Sequence, residues 1–394
     1  MQFLIGILGL LVFLGIAWAM SKDRKNINFR AIGIMFGMQI VLTFLMLNTN
    51  IGLRVLNSIG NVFTKLVEFG LEGVDFVVGG WIPEGQAPFF INVLLIIVFT
   101  STILSVLTHI KVLPLLIKWV GGGLSKITGL PKVESFVAVG SVFFGQSEVF
   151  LMIKNQLATL NRNRLFIIST SAMGSVSASI VGSYIAMIPP KFVFTAMVLN
   201  MFSALIMSST IFPVKVEKDD EQVDIKGIVQ TRNVFDAISN GALDGGKIAL
   251  IVASQLIAYV GLIALVNAVL NGLAGVDLQT ILGYVFAPIA FIMGTPIHDI
   301  MQVGGLMGTK LVTNEFVGML SLQDIANHLS PKGQAIISTY LVSFSNFSSI
   351  GIIAGSVQAL NGQKAKEISS FGLKLLFVAS LASAFSATIV GLFI

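Results

Sequence analysis

Two glutamates stand within apolar stretches that are each long enough to cross a membrane. Glu148 lies in "SVFFGQSEVFLMIKNQ" (141–156), and Glu315 lies in "KLVTNEF" (310–316). An ionised side chain at membrane depth is costly, so it normally faces a partner or a water-filled cavity. A carboxylate accepts hydrogen bonds from hydroxyl and N–H groups, which makes both residues candidate ligands for a polar small molecule.

The composition indicates the class of protein in which these glutamates act. The chain has 394 residues, of which 55% are hydrophobic and 11% are charged, whereas soluble domains carry about 25% charged residues. A polytopic membrane protein is therefore predicted. Cysteine is absent and the three histidines are scattered, so we expect no metal site and no cofactor. The net charge of +5 comes without a basic, aromatic-rich patch, so nucleic acid is not an expected partner.

Eight apolar windows of about 20 residues predict membrane-spanning helices. They cover about 2–20, 31–48, 90–109, 165–188, 192–212, 246–270, 334–358 and 370–393. The segment 51–69 instead gathers its apolar residues on one helical face, which favours a helix lying in the membrane interface. A surface helix within a soluble loop is the alternative for that segment.

Basic residues predict how these spans are oriented, because they concentrate in cytoplasmic segments. Both flanks of the stretch at about 134–160 are basic, so it should start and end on the cytoplasmic side as a re-entrant hairpin. The stretch at about 281–330 is interpreted as a second hairpin that opens outward. With both termini outside, 19 of the 24 Lys and Arg residues fall in the predicted cytoplasmic segments.

The two opposed hairpins predict an inverted repeat. Each is followed by an apolar segment interrupted by small polar residues, "SASIVGSY" (177–184) in one half and "SNFSSIGI" (345–352) in the other. Two such units of opposite orientation are typical of secondary transporters with a site near the middle of the membrane. The predicted divisions are N-terminal and interfacial helices with scaffold (1–110), first repeat (111–213), cytoplasmic loop and scaffold helix (214–270), and second repeat (271–394).

Three motifs in order resemble the concentrative nucleoside transporter family, and within it the bacterial nucleoside permeases. They are "GQSE" (145–148), "KLVTNEF" (310–316) and "SFSNFSSIGIIAGSV" (343–357). The resemblance covers essentially the whole chain. It implies a homotrimer in the bacterial cytoplasmic membrane, in contact with membrane lipid. Each all-α protomer would have eight transmembrane helices, two opposed re-entrant hairpins and broken helices.

The resemblance also implies which residues surround a nucleoside. Those on the nucleobase side would be Gly145, Gln146, Ser147, Glu148 and Ile180. Those on the ribose side would be Glu315, Asn346 and Ser349, with Phe344 flanking the nucleoside. Gly174 and Ala178 are smaller than the Ser and Met expected in similar permeases, which leaves the preference for purine or pyrimidine open.

The coupling ion is predicted to be H⁺, with Na⁺ as the alternative. In sodium-coupled members of the family, a side-chain amide four residues before the hairpin glycine joins a serine and main-chain carbonyls around the ion. This chain has Ser141 at that position and Ser175 as the expected partner. A hydroxyl is shorter than an amide, so the oxygen cage would be less complete. Proton coupling needs one buried titratable group, for which Glu148 or Glu315 is the candidate.

The prediction is therefore an ion-coupled nucleoside importer that works by alternating access and is not an enzyme. An intramembrane enzyme is one alternative, but the chain has no H-E-x-x-H motif and no G-x-S-x-G motif around Ser147. A channel can be built from similar polar rings. Inverted repeats with broken helices favour alternating access over an open pore.

Overall fold

The computed structural model describes residues 2–81, 88–214, 228–229 and 231–394. Within these ranges the regular elements are helical and no strand is present. Of the predicted cytoplasmic segment 214–247, residues 215–227 and 230 lie outside the described residues. The predicted all-α polytopic membrane fold is confirmed.

The α-helices are numbered in chain order. The described first half contains α1 (Gln2–Ala19), α2 (Phe29–Asn48), α3 (Asn50–Val78), α4 (Ile96–His109), α5 (Val112–Thr128), α6 (Lys132–Gly140), α7 (Arg162–Gly174), α8 (Val181–Ile185) and α9 (Pro190–Ile211). The described second half contains α10 (Val234–Ala274), α11 (Leu278–Ile292), α12 (Ile300–Val312), α13 (Glu315–Ile325), α14 (Pro331–Leu341), α15 (Phe347–Gln358), α16 (Gly362–Ser370) and α17 (Gly372–Leu392). Short 3₁₀ helices cover Glu148–Ile153 and Ala178–Ile180.

Seven helical segments of the described chain are long and apolar enough to cross a membrane. They are Gln2–Ala19, Phe29–Asn48, Phe90–His109, Arg162–Ile185, Pro190–Ile211, Val234–Ala274 and Gly372–Leu392. Each matches one of the predicted windows. The eighth window, 334–358, is divided between α14 and α15 because the helix is interrupted at 342–346, so neither half has a spanning length by itself.

The interruptions follow from side chains that compete for backbone hydrogen bonds. After α7 ends, Ser177 restarts the chain as a cap, and its hydroxyl accepts from the Ser179 N–H over 3.3 Å. After α14 ends, Asn346 caps α15, and its side chain accepts from the Ser349 N–H over 3.0 Å. Short polar side chains of this kind favour helix starts over helix interiors. Both predicted broken helices are therefore present.

Each hairpin consists of two helical arms separated by a turn. The first comprises α6, a turn at 141–147 and the 3₁₀ helix that begins at Glu148. The second comprises α12, a turn at Thr313 and Asn314, and α13. The predicted range 281–330 is too wide for this hairpin, because α11 is a separate helix packed along α12. The arms agree with the sequence, and their re-entrant course in a bilayer stays a prediction.

Burial places the interrupted helices in the centre of the molecule. The apolar window of Arg162–Ile185 is 100% buried, compared with 6% for α10. Outside the core, α3 includes the predicted helix at 51–69 and continues to Val78. The exposed sides of α1 and α10 are largely apolar, and apolar surface of this extent is stable against lipid or another chain.

Candidate functional site

Glu148 and Glu315 occupy matching positions in the two hairpins. Glu148 is the first residue of a 3₁₀ helix whose N-cap position, Ser147, makes no side-chain cap hydrogen bond, and Glu315 is the first residue of α13, which Asn314 caps. A helix N-terminus presents free N–H groups and the positive end of the helix dipole, which favours an anionic side chain. The local fold thus gives a physical reason for a carboxylate at each hairpin tip.

Glu315 is 4% exposed, and two donors hold its carboxylate. The Tyr184 hydroxyl donates to Oε1 over 3.0 Å, and Asn346 Nδ2 donates to Oε2 over 3.1 Å. Tyr184 belongs to α8 and Asn346 caps α15, so the carboxylate joins the second hairpin to both broken helices. A carboxylate has about four acceptor positions, so two donors leave capacity for a ligand.

Asn346 is oriented by the contacts of its carbonyl oxygen. Oδ1 accepts from the Ser349 N–H and from Ser349 Oγ, each over 3.0 Å, and from Ser348 Oγ over 2.7 Å. Because these donors occupy the oxygen, the amide nitrogen faces Glu315. The helix cap therefore also sets the geometry of the carboxylate.

The tip of the first hairpin carries a buried acceptor that lacks a partner. The Gly145 N–H donates to Glu148 Oε2 over 3.1 Å and closes the turn. Gln146 is 7% exposed, and its Oε1 is buried without a hydrogen-bond partner among the described residues. Leaving such an acceptor unpaired costs about 1–3 kcal/mol. It is therefore available to a donor on a ligand or on water.

The two interruptions and the first hairpin tip satisfy each other's free backbone groups. The Phe344 N–H donates to the Ser175 carbonyl over 3.1 Å, and the Ala178 N–H donates to the Phe143 carbonyl over 3.3 Å. Ser177 Oγ also donates to the Phe143 carbonyl, over 3.2 Å. Non-helical backbone at membrane depth requires such partners.

A cavity of about 200 Å³, here called the central cavity, lies between the hairpin tips and the interruptions. All nine residues predicted to surround a nucleoside line it: Gly145, Gln146, Ser147, Glu148, Ile180, Glu315, Phe344, Asn346 and Ser349. The fold brings them together from four separate segments of the chain. Their roles toward a ligand stay a prediction.

The helix α10 forms one wall of the central cavity, which the sequence patterns did not predict. Ile248, Ile251, Val252 and Gln255 line it from one face of the helix. Apolar side chains in an apolar span carry no distinguishing signal. Of these four residues, only Gln255 is polar, and a polar residue within an apolar span could have indicated that α10 lines a cavity.

The predicted ion ligands Ser141 and Ser175 are buried and do not line the central cavity. Ser141 Oγ donates to the Ala138 carbonyl over 2.8 Å, and Ser175 Oγ donates to the Ala172 carbonyl over 3.3 Å. Each hydroxyl is therefore directed toward its own helix. In the described part of the chain, no group of three or more His, Cys, Asp or Glu side chains is placed to hold a metal ion.

The small side chains of Gly174 and Ala178 were considered above as a source of purine or pyrimidine preference. Neither residue lines the central cavity. A Cβ at Gly174 would face the Ala204 side chain of α9 over 3.3 Å. The small size of Gly174 therefore serves helix packing and does not widen the cavity.

A buried lysine that the sequence patterns did not single out lies beside the second hairpin tip. Lys310 is 0% exposed, and its Nζ donates to the Tyr340 carbonyl over 2.6 Å and to Ser343 Oγ over 2.5 Å. Its charge also acts on Glu315. Because Ser343 belongs to the interruption at 342–346, Lys310 joins that interruption to the second hairpin.

Membrane-spanning helices, two interrupted helices and a buried polar cavity together define a membrane transport protein. A model for the C-terminus of Na⁺ dependent nucleoside transporters matches residues 192–391, and the corresponding N-terminal model matches residues 8–81. A model described as nucleoside recognition matches residues 90–216. The chain belongs to the concentrative nucleoside transporter family, in its bacterial branch, and the members of this family are permeases and not enzymes.

Several known proteins are similar along the whole chain. The purine nucleoside transport protein NupG of Bacillus subtilis is 37% identical over 396 residues, covering 100% of both chains. The nucleoside permease NupC of Helicobacter pylori is 32% identical and covers 99% of this chain and 98% of its own. The structure of CNTnw in an inward-facing substrate-bound state has a TM-score of 0.94 at 32% identity, covering 100% of this chain and 98% of that one. A doubly substituted CNTnw in an outward-facing state has a TM-score of 0.93 at the same identity and coverage.

Proposed function

We propose that this protein imports nucleosides by ion-coupled symport, through alternating access of the central cavity to the two sides of the membrane. The observation that carries the proposal is the convergence of both hairpin glutamates on one cavity with amide, hydroxyl and phenyl side chains. A nucleoside combines a hydroxylated ribose with a flat base that bears hydrogen-bonding edges. The cavity offers complementary groups for both parts.

Glu315, Asn346 and Ser349 are proposed to bind the ribose. A carboxylate accepts two hydroxyl donors well because charge-assisted hydrogen bonds are short and strong. Tyr184 and Asn346 already hold Glu315 in position, so little conformational entropy is lost when a ribose binds.

The first hairpin tip is proposed to bind the base, with Phe344 flanking the nucleoside. The unpartnered Oε1 of Gln146 supports this assignment, because the edge of a nucleobase offers N–H donors. Gly145, Ser147 and Ile180 would complete the base side of the cavity. The name of the relative NupG supports a purine nucleoside as one substrate of this chain.

Alternating access is proposed to move the two repeats, 111–213 and 271–394, against the helices of 1–110 and 214–270. The similarity to CNTnw in both inward-facing and outward-facing states supports alternating access, since one fold accommodates both states. We infer a homotrimer in the bacterial cytoplasmic membrane, with both termini outside. The exposed apolar face of α10 supports burial against lipid or neighbouring subunits.

Proton coupling through Glu148 or Glu315 is proposed in preference to sodium coupling. Ser141 offers a single hydroxyl oxygen at the position where an amide would be needed, and that hydroxyl already donates to its own helix. A hard cation recovers its hydration energy only within a full set of oxygen ligands. The description of the matching family model as Na⁺ dependent supports sodium as the alternative.

The test is uptake of a labelled nucleoside into proteoliposomes. An imposed inward proton gradient in sodium-free choline buffer should drive accumulation, and dissipating that gradient should abolish it. Accumulation that requires Na⁺ and ignores the pH gradient would refute proton coupling but leave nucleoside transport standing. Competition by a panel of purine and pyrimidine nucleosides would rank the substrates, and accelerated exchange would separate a carrier from a channel.

A further inference from the structure

A second, larger cavity adjoins the central cavity. Its volume is about 370 Å³, compared with about 200 Å³, and we call it the vestibule. Glu148 and Ser179 line both cavities, so they form the wall that the two share. Asn240 and Asp244, which belong to the predicted cytoplasmic segment, line the vestibule and are exposed. The vestibule therefore adjoins the central cavity and is lined in part by residues of the segment predicted to be cytoplasmic.

One wall of the vestibule carries a row of hydroxyls on a single face of α4, formed by Ser101, Ser105 and Thr108. Thr108 Oγ1 donates to the Leu104 carbonyl over 2.7 Å, as a hydroxyl in an apolar helix commonly does. Ser101 differs, because it is 8% exposed and its Oγ has no hydrogen-bond partner within the described ranges. Ser101 lines the vestibule, and its hydroxyl still needs a hydrogen-bond partner, which a ligand could supply by reaching it.

The part of the vestibule next to this row comes from α10, which packs very closely on α4. A Cβ added at Gly241 or Gly245 would lie less than 3.0 Å from backbone atoms of α4. Small residues at this spacing allow membrane helices to approach closely. They bring Asn240 and Asp244 beside the hydroxyl row. Asp244 pairs with Lys247 over 3.3 Å at an exposed site, and such a pair is exchanged for another partner at little cost.

Apolar and aromatic side chains also line the vestibule, beside Ile228 and Thr231. Phe143 and Phe144 of the first hairpin line it together with Leu104, Leu151 and Met152. A nucleobase stacks on phenyl rings through its apolar faces, whereas a ribose requires hydrogen-bond partners. The vestibule therefore offers both kinds of surface, which fits a molecule of that mixed character.

We propose that the vestibule is a second, weaker binding station for the nucleoside, occupied after it leaves the central cavity. The base contacts Phe143 and Phe144, and the ribose hydroxyls bind Asp244, Asn240 and Ser101. The inference rests on the proposed function and extends it to the release step.

The shared wall explains how release would proceed. Glu148 and Asp244 both line the vestibule, so it offers one carboxylate at the shared wall and another on α10. A departing nucleoside exchanges hydrogen bonds to the first carboxylate for hydrogen bonds to the second. Its polar groups then keep acceptors during the passage, which avoids the cost of leaving them unpaired.

The absence of cysteine from the chain permits a direct test by single-thiol labelling. Ser105→Cys places a thiol in the vestibule, and Ser58→Cys places one on the exposed surface of α3 as the control. Both are combined with Glu315→Gln to weaken the central site, and the loss of tight nucleoside binding is verified with labelled adenosine. The rate of modification by a water-soluble thiosulfonate is then measured with and without millimolar adenosine.

Adenosine should slow the labelling of Ser105→Cys at least threefold and leave Ser58→Cys unchanged. Adding Asp244→Asn should remove that protection. If adenosine gives no protection, or protects only while Glu315 is intact, the proposal of a second binding site in the vestibule is wrong. Uptake by the cysteine-free parent, measured in parallel, keeps the two proposals apart. A transporting parent without vestibule protection contradicts the station alone, whereas a parent that does not transport contradicts both.

Discussion

Asn346 donates its side-chain amide to Glu315 Oε2 over 3.1 Å, across 31 residues of sequence. The bond connects the cap of α15 to the first residue of α13, so a helix start and a hairpin tip share one contact. A displacement of either element changes the position of the carboxylate in the central cavity. The geometry of the proposed ribose site is therefore coupled to the broken helix.

Glu315→Gln should lower nucleoside uptake roughly 30-fold or more. The reason is that losing a charged partner for a buried ligand costs about 2–5 kcal/mol. Uptake relative to the amount of inserted protein is the measurement, with Glu68→Gln on the exposed face of α3 as the control. Near-normal uptake by Glu315→Gln would contradict the assigned role, and Glu148→Gln is expected to behave in the same way.

Gln146→Met should weaken nucleoside binding without weakening the fold. The side-chain oxygen has no protein partner to lose among the described residues, whereas a lost hydrogen bond to a ligand costs about 0.5–1.5 kcal/mol, or about 2- to 13-fold in affinity. Equilibrium binding and the thermal midpoint are measured on the same preparation. A fall in the midpoint with unchanged affinity would show that Gln146 serves the fold.

Lys310→Met should destabilise the protein by about 1–3 kcal/mol, because the buried Tyr340 carbonyl and Ser343 Oγ lose a donor. Thermal unfolding in detergent is the measurement, with the exposed Lys366→Met as the control. The double variant with Glu315→Gln should be more stable than Lys310→Met alone, and an equal or lower stability would argue against coupling between the two charges.

Ser141→Asn should make uptake sensitive to Na⁺. An amide reaches further than a hydroxyl and supplies the oxygen that the proposed sodium cage lacks. Ser141→Leu, whose side chain branches at the same carbon as that of asparagine but carries no oxygen, is the control. The ratio of uptake in sodium and choline buffers is measured at constant pH. If wild type already shows the full sodium dependence, the proton assignment is wrong.

Gly245→Ala should destabilise the contact between α4 and α10, since the new Cβ would lie 2.6 Å from both the Ile97 carbonyl oxygen and Val98 Cα. Overpacking of this kind costs about 1–3 kcal/mol. Gly246→Ala is the control on the same helix, because nothing among the described residues lies within 4 Å of its added Cβ. The thermal midpoint should fall for the first variant only.

The sequence was most informative where one residue type carries a strong physical cost. Glu148 and Glu315 are conspicuous in apolar stretches, and the serines and Asn346 that compete with helical hydrogen bonds predict the interruptions. The boundary of the second hairpin was harder to predict from the sequence, because the apolar pattern of α11 resembles that of a hairpin arm. Whether α11 packs beside the hairpin or forms part of it depends on tertiary contacts that periodicity does not encode.

The nine residues of the central cavity were anticipated through family motifs, whereas the contributions of Tyr184, Lys310 and α10 were not. Tyr184 lies 131 residues from the carboxylate to which it donates. A contact at such sequence separation has no local signal. From the sequence alone, Lys310 has the character of a surface residue, because its burial depends on how the helices pack. The aliphatic residues of α10 have the same composition as residues that face lipid.

The uninterrupted length of α10 has a consequence for the surrounding lipid. Its 41 residues extend roughly 60 Å at 1.5 Å per residue, about twice the thickness of a typical hydrocarbon core. Such a helix must tilt or project beyond the bilayer, so hydrophobic mismatch acts on the same element that forms a wall of both cavities. Acyl-chain length becomes a means of changing the shape of the transport path, and thicker bilayers should bring α10 closer to the membrane normal.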